Sequence, residues 1–227
     1  MSSDLSPLSI LNFAYMIFVL LVSLSVHESA HGWVAERCGD NTARMLGRIT
    51  LNPLKHLDPI WSVVLPLLLF IAGLPVIGAG KPVPVNPRNF RNYKLDNALV
   101  SAAGPVSNLM LALISTLSMS GYLLAVGKDR FWSELGQEYT PPALMIIFAS
   151  INLLLMAFNA IPVVPLDGSH ILEAILPGGT ISQIYEKIKP AFFVLLIVLM
   201  LTPVLGMILN FVLNILLMAF VFFPLTL

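Results

Sequence analysis

The sequence predicts an all-α polytopic membrane protein. It reads as a single domain over residues 1–227, with about five to six hydrophobic segments, a small β hairpin or edge strand, and a re-entrant segment. Three observations lead there. The first is composition: 57% of the 227 residues are hydrophobic, 11% are charged, and mean hydropathy is +0.88. A soluble domain carries roughly 25% charged residues, so this chain has too little charge to cover a water-facing surface. Disorder is excluded too, because it needs low hydrophobicity and high charge. The second is a set of charge-free runs at residues 5–26, 59–80, 97–127, 139–166 and 190–227. A crossing helix needs roughly 20 apolar residues. The third is that the charges lie between these runs, where a membrane protein keeps them. Twelve basic residues balance 12 acidic ones, which argues against a nucleic-acid partner bound through a broad basic face. Cys38 is the only cysteine, so neither a disulfide framework nor a cysteine-rich metal site is expected.

The first run has only Asp4 before it and no basic leader, so it reads as a retained span and not as a cleaved signal peptide. Residues 43–51 (ARMLGRITL) read as a short strand or hairpin. Residues 60–77 pose a topological question. Arg37, Arg44, Arg48 and Lys55 precede them, and Lys81, Arg88, Arg91 and Lys94 follow. Basic loops stay on the cytoplasmic side, so this segment is expected to enter and leave on one face. Pro59, Pro66, Gly73, Pro75, Gly78 and Gly80 suit a re-entrant path. An ordinary span with weak charge bias is the alternative. Gly80–Asn86 (GKPVPVN) alternates proline and valine and reads as extended, with proline confining it to an edge. The runs at 97–127 and 139–166 are single spans, separated by an outside loop with two basic and three acidic residues. The last run exceeds one crossing, so Pro203 and Gly206 divide it into about 181–201 and 204–223, the first starting at the interface with Glu186, Lys187 and Lys189.

The first span ends in His27-Glu28-Ser29-Ala30-His31, an H-E-x-x-H. Residues four apart share a helix face, so both imidazoles reach one metal ion and the glutamate can serve as general base. Four His and six Glu in 227 residues give roughly 0.002 such matches by chance, so the pattern is read as chemistry. Ionisable groups at the end of an apolar span are also costly unless they have a function.

A catalytic zinc site uses three protein ligands and one open position. Asp167 is the best candidate for the third. It follows a helix broken by Pro162 and Pro165, and Gly168 permits a tight turn. Taken alone, Asp167 reads as the N-cap of the following 169–176 segment. Topology supports the ligand reading. With the N-terminus outside, the first span and the 139–166 span both end near the cytoplasmic face, bringing His27, His31 and Asp167 to similar depth.

The chain resembles the site-2 protease family of intramembrane zinc metalloproteases, in its compact prokaryotic form without PDZ or CBS domains. The resemblance covers nearly the whole chain. It rests on HESAH, GRITLNPLKHLDP (47–59), GKPVPVNPRNFRN (80–92), AAGPVSN (102–108) and NAIPVVPLDG (159–168). Ser169 departs from relatives that carry a second glycine there. The resemblance implies that His27, His31 and Asp167 bind one Zn2+ and that Glu28 activates the water. It implies that Asn159 supports the substrate or transition state, with Asn108 in a similar, weaker role. Gly80, Lys81, Pro82, Val83, Pro84 and Val85 would form an edge strand that pairs with an unwound substrate segment. The implied substrates are single-span membrane proteins in the lipid bilayer of a cell membrane, met at a site toward the cytoplasmic side. The rival readings are an inactive relative that binds metal or substrate, which the intact Glu28 disfavours, and a His/Asp transporter, which would show an internal repeat.

The remaining polar residues read as structural. His56 and His170 are expected to pack locally, with positioning of the site as the alternative for each. Glu36 and Arg37 read as solvated, Gly104-Pro105 as a packing or kink device, and Cys38 as lying outside the metal site.

Overall fold

The computed structural model describes residues 7–71, 80–200 and 202–222. Among these, nine α-helices are joined by short 3-10 and π turns. The helices are α1 (Pro7–Arg37), α2 (Thr42–Met45), α3 (Leu65–Ile71), α4 (Tyr93–Val126), α5 (Lys128–Leu135), α6 (Pro141–Asn159), α7 (Asp167–Ile175), α8 (Thr180–Met200) and α9 (Pro203–Leu217). Four helical stretches are long and apolar enough to cross a membrane: Ile10–Arg37, Tyr93–Val126, Pro141–Asn159 and Pro203–Phe220.

The centre is a three-helix core in which α4 packs on both α1 and α6. Small side chains allow the close approach. Ala112 and Ala149 are fully buried beside Met119, Leu153 and the α5 residue Phe131. Side chains in the spans also bond to neighbouring backbones. Ser115 Oγ donates to Met145 O at 2.8 Å and Tyr15 Oη to Leu144 O at 2.9 Å. Such bonds count where no water is at hand to satisfy a carbonyl. Helix α7 rests against α4, and α9 lies outside on α6 and α8.

Three sequence expectations change. Among the described residues, four of the expected five to six hydrophobic segments form helices of span length and hydropathy. Residues 181–200 of the expected 181–201 segment do form a helix, α8, but Glu186, Lys187 and Lys189 occupy its first half. The charge-free remainder, residues 190–200, rises only about 16 Å at 1.5 Å per residue, half the hydrocarbon thickness.

The hairpin at 43–51 is absent. Thr42–Met45 is a helical turn, because the Asp40 carboxylate accepts from Thr42 N at 3.2 Å and starts it. After Gly47 the chain runs extended along α1, with Ser29 Oγ donating to Thr50 O at 2.6 Å. Gly80–Val85 is neither helix nor turn, and the described residues contain no β-sheet for it to edge. Its backbone bonds go to side chains and a loop carbonyl instead of a ladder.

The segment after Asp58 is short. Asp58 caps it, accepting from Ile60 N and Trp61 N at 3.0 and 3.1 Å, and a six-residue π turn leads into the seven-residue α3. Thirteen residues rise about 20 Å, less than the roughly 30 Å core. Phe70 stacks on Phe13 of α1, ring centroids 4.4 Å apart. The segment's two ends meet, because Lys81 N donates to His56 O at 2.7 Å. The rest of the expected re-entrant segment, residues 72–77, lies outside the described residues.

Asp40 ties the loops to the end of α1. It is fully buried and also accepts from Asn86 N and Asn89 Nδ2, both at 2.7 Å. Burial alone would push its carboxyl up, but the hydrogen bonds from Thr42, Asn86 and Asn89 outweigh that and hold it below the usual carboxylate range.

Candidate metal centre

Helix α1 delivers His27 and His31 on one face, and both are buried. Each ring is held at its far nitrogen. His31 Nδ1 lies 2.7 Å from Val100 O, and His27 Nδ1 lies 2.6 Å from Asn108 Oδ1. A backbone carbonyl only accepts, so His31 carries its proton on Nδ1. The Asn108 amide donates elsewhere, to Asn152 Oδ1 at 2.9 Å, so its oxygen faces His27 and accepts. Both Nε2 atoms are therefore left with free lone pairs, and both lie near Asp167.

Asp167 is the first residue of α7, not its N-cap, which is Leu166. The return from α6 is tight. A Cβ at Gly168 would sit 2.3 Å from Ala160 O and 2.5 Å from Ile161 O, so only glycine permits this turn. Asp167 Oδ2 is then 3.2 Å from His27 Nε2 and 3.4 Å from His31 Nε2. With both imidazoles presenting lone pairs, these are acceptor–acceptor contacts, and Asp167 Oδ2 is a buried oxygen without a hydrogen bond. Three acceptors within 4.8 Å of one another repel unless a cation lies among them. The donor set of two imidazoles and a carboxylate, each imidazole braced behind, is that of a catalytic divalent-metal site.

Helix α4 also lines the ligand side of the imidazoles. A Cβ at Gly104 would stand 2.4 Å from His27 Cε1 and 2.5 Å from the Nε2 atoms of His27 and His31. The glycine read as a packing device thus makes room for the imidazole edges. Behind His27 a polar chain runs through the apolar core. Asn108 bonds to Asn152, and Asn152 Nδ2 donates to Ser23 Oγ at 2.9 Å. All three are fully buried. Ser23 and Asn152 were missed from the sequence, although polar residues inside charge-free runs were a usable signal.

Glu28 and Asn159 face a cleft of about 250 Å³ between α1 and α6, whose walls include Leu20, Leu24, Leu155, Phe158 and Gly80. His27 borders the same cleft. Glu28 Oε2 accepts from Val83 N at 2.7 Å, and Asn159 Nδ2 donates to Leu155 O at 3.0 Å. Asn108, expected to face substrate, stands behind His27. Within the expected edge strand, Gly80 reaches the cleft and Val83 is buried. Lys81 and Pro82 are exposed, and Pro84 and Val85 are half-buried. His56 is buried with Nε2 2.8 Å from Thr50 O. His170 Nδ1 lies 3.5 Å from Glu173 Oε2.

Apolar helices enclosing a buried two-histidine, one-carboxylate donor set beside a glutamate-lined cleft define a membrane-embedded metallohydrolase. The chain belongs to peptidase family M50, whose sequence profile matches residues 15–203. It is 39% identical to YwhC of Bacillus subtilis over 87% of this chain and 84% of that one. It is 31% identical to Rip2 of Mycolicibacterium smegmatis over 90% of this chain and 74% of that one. Both relatives carry provisional names as zinc metalloproteases. A shorter match, 31% identical, covers 48% of this chain and 25% of the regulator of sigma-E protease RseP of Salmonella typhimurium. No solved structure matches the chain.

Proposed function

We propose that the chain is a zinc endopeptidase that hydrolyses peptide bonds in or near the transmembrane segments of single-span membrane proteins, from a site toward the cytoplasmic side of a cell membrane. One observation carries this reading: the acceptor atoms of His27, His31 and Asp167 converge beside a cleft that also holds Glu28. The names of the relatives support zinc as the ion. The basic loops around residues 37–55 and 81–94 support the cytoplasmic side. The residues read as one catalytic domain.

Zinc held by His27, His31 and Asp167 would supply Lewis acidity, polarising a carbonyl and lowering the pKa of water toward about 7. Glu28 takes the proton as water attacks the carbonyl carbon, then returns it to the amine as the C–N bond breaks. Asn159 donates to the oxygen on which charge develops. Asn108 and the Val100 carbonyl keep both imidazoles in the ligating tautomer. The apolar walls admit a segment drawn from hydrocarbon, and the extended 80–85 segment offers it backbone partners.

The test is zinc analysis with a cleavage assay on a single-span substrate. Wild type binds one zinc per chain and cleaves. Glu28→Gln retains the zinc and loses turnover by at least about 100-fold, the size of a general-base contribution. Undiminished turnover in this variant removes Glu28 from the base role.

A further inference from the structure

The extended segment beside the site is held from two sides. Pro82 and Pro84 lack an N–H, so Gly80, Lys81, Val83 and Val85 are the donors between 80 and 85. Two of these are used: Lys81 N donates to His56 O at 2.7 Å, and Val83 N to Glu28 Oε2 at 2.7 Å. From the other side, Arg48 Nη2 donates to Lys81 O at 2.9 Å and Pro82 O at 3.3 Å. Gly32 of α1 faces the segment: a Cβ there would lie 3.1 Å from each of Val83 Cγ1, Ala43 Cβ and Ile49 Cγ1. One guanidinium nitrogen thus fixes two successive carbonyls, and the next amide in the chain fixes the carboxylate.

We propose that Arg48 is a positioning residue for Glu28, acting through the Lys81–Val83 backbone. The inference rests on Glu28 being the general base. A glutamate has three rotatable side-chain torsions, and Glu28 is only half-buried. With Oε2 engaged by Val83, its other oxygen is the one presented to the reaction. Misplacement by about 1 Å costs around 100-fold in rate, so a strap that removes this freedom acts on kcat. The arrangement also sets what the strand can offer a substrate. The Val83 N–H is committed to Glu28, so a paired peptide must use the remaining groups, chiefly carbonyls. The positive charge of Arg48, which the sequence suggests only as a marker of membrane sidedness, is assigned to the active site.

The experiment has two readouts. The first is hydrogen–deuterium exchange of the Val83 amide in zinc-free protein labelled with 15N-valine. Exchange is at least tenfold faster in Arg48→Ala than in wild type, and Arg48→Lys, which keeps one donor, recovers part of the protection. The second is kinetic. Arg48→Ala lowers kcat by about 10- to 100-fold, with KM and bound zinc unchanged. Val83→Pro leaves Arg48 in place and removes the N–H as well as the valine side chain, whereas Val83→Ala removes the side chain and keeps the N–H; the proline variant loses more kcat. Unchanged exchange in Arg48→Ala overturns the proposal. So does faster exchange with wild-type kcat, or equal kcat in Val83→Pro and Val83→Ala; either leaves Glu28 as the base. Full turnover in Glu28→Gln is a different failure, because it removes the base itself and the inference with it.

Discussion

His27 Nδ1 lies 2.6 Å from the side-chain oxygen of Asn108, a residue 81 positions later in the chain. The contact joins α1 to α4 in the buried core and determines which imidazole nitrogen faces Asp167. The chain from Ser23 through Asn152 to Asn108 orients that oxygen, since each amide donor is spent on another partner. The tautomer of His27 is therefore set by three helices together.

Asn108 thus stands directly behind a residue of the candidate metal site. Asn108→Ala is expected to weaken zinc binding by about 10- to 100-fold, the usual cost of losing a ligand's hydrogen-bonding partner. Competition with a chromophoric chelator measures it. An unchanged zinc affinity with a reduced rate would instead return Asn108 to the substrate role.

The donor set has an equally direct test. Asp167→Ala is expected to lose stoichiometric zinc, because two imidazoles alone leave a catalytic site one ligand short. Metal analysis after dialysis reads this, and full occupancy in the variant would place the third ligand elsewhere.

Gly104 and Gly121 lie in the same helix and make a matched pair. A Cβ at Gly104 would fall within 2.5 Å of both imidazoles, whereas one at Gly121 meets nothing within 4 Å. Gly104→Ala is expected to displace the histidines and lower zinc affinity at least tenfold. Gly121→Ala is expected to leave zinc binding intact and to stabilise α4 by up to about 1 kcal/mol. Thermal unfolding and zinc titration of the two variants separate local crowding from a general intolerance of alanine in α4.

Asp40 links stability to pH. Its folded-state carboxyl lies below the usual range, so its stabilisation is present in full above the unfolded value of about 4 and is lost as the pH falls through the lower folded value. Asp40→Ala is expected to cost about 1–3 kcal/mol at pH 7 by leaving buried donors unpaired. Thermal unfolding of zinc-free protein checks it: the gap in Tm between wild type and variant is widest at pH 7 and narrows below about pH 4.

Features that depend on neighbours in the chain were legible in the sequence. The apolar runs mark α1, α4, α6 and α9, because span length follows from the 1.5 Å rise and the bilayer thickness. The i, i+4 spacing of His27 and His31 needs only a helix to align them. The proline-broken end of α6 marks Asp167. Errors arose where a side chain or a charge changed a local tendency. Asp40 captures Thr42 N and turns a strand-like stretch into helix. Three charges leave α8 short of a span. The prolines of 80–85 pointed to a segment outside any helix, but the partner of its Val83 amide is a carboxylate 55 residues earlier.

By itself, the sequence determined the membrane class, the helix-borne histidine pair and its glutamate, and the carboxylate most suited to join them. Each of these follows from hydropathy, helical periodicity or the breaking of a helix by proline, and all act over a few residues. Only the tertiary structure decided which nitrogen each imidazole presents, that Gly104 clears the space beside them, and that Arg48 reaches Glu28 through a strand of backbone. Those are contacts between helices and loops tens of residues apart, created by packing. No spacing rule along the chain encodes them.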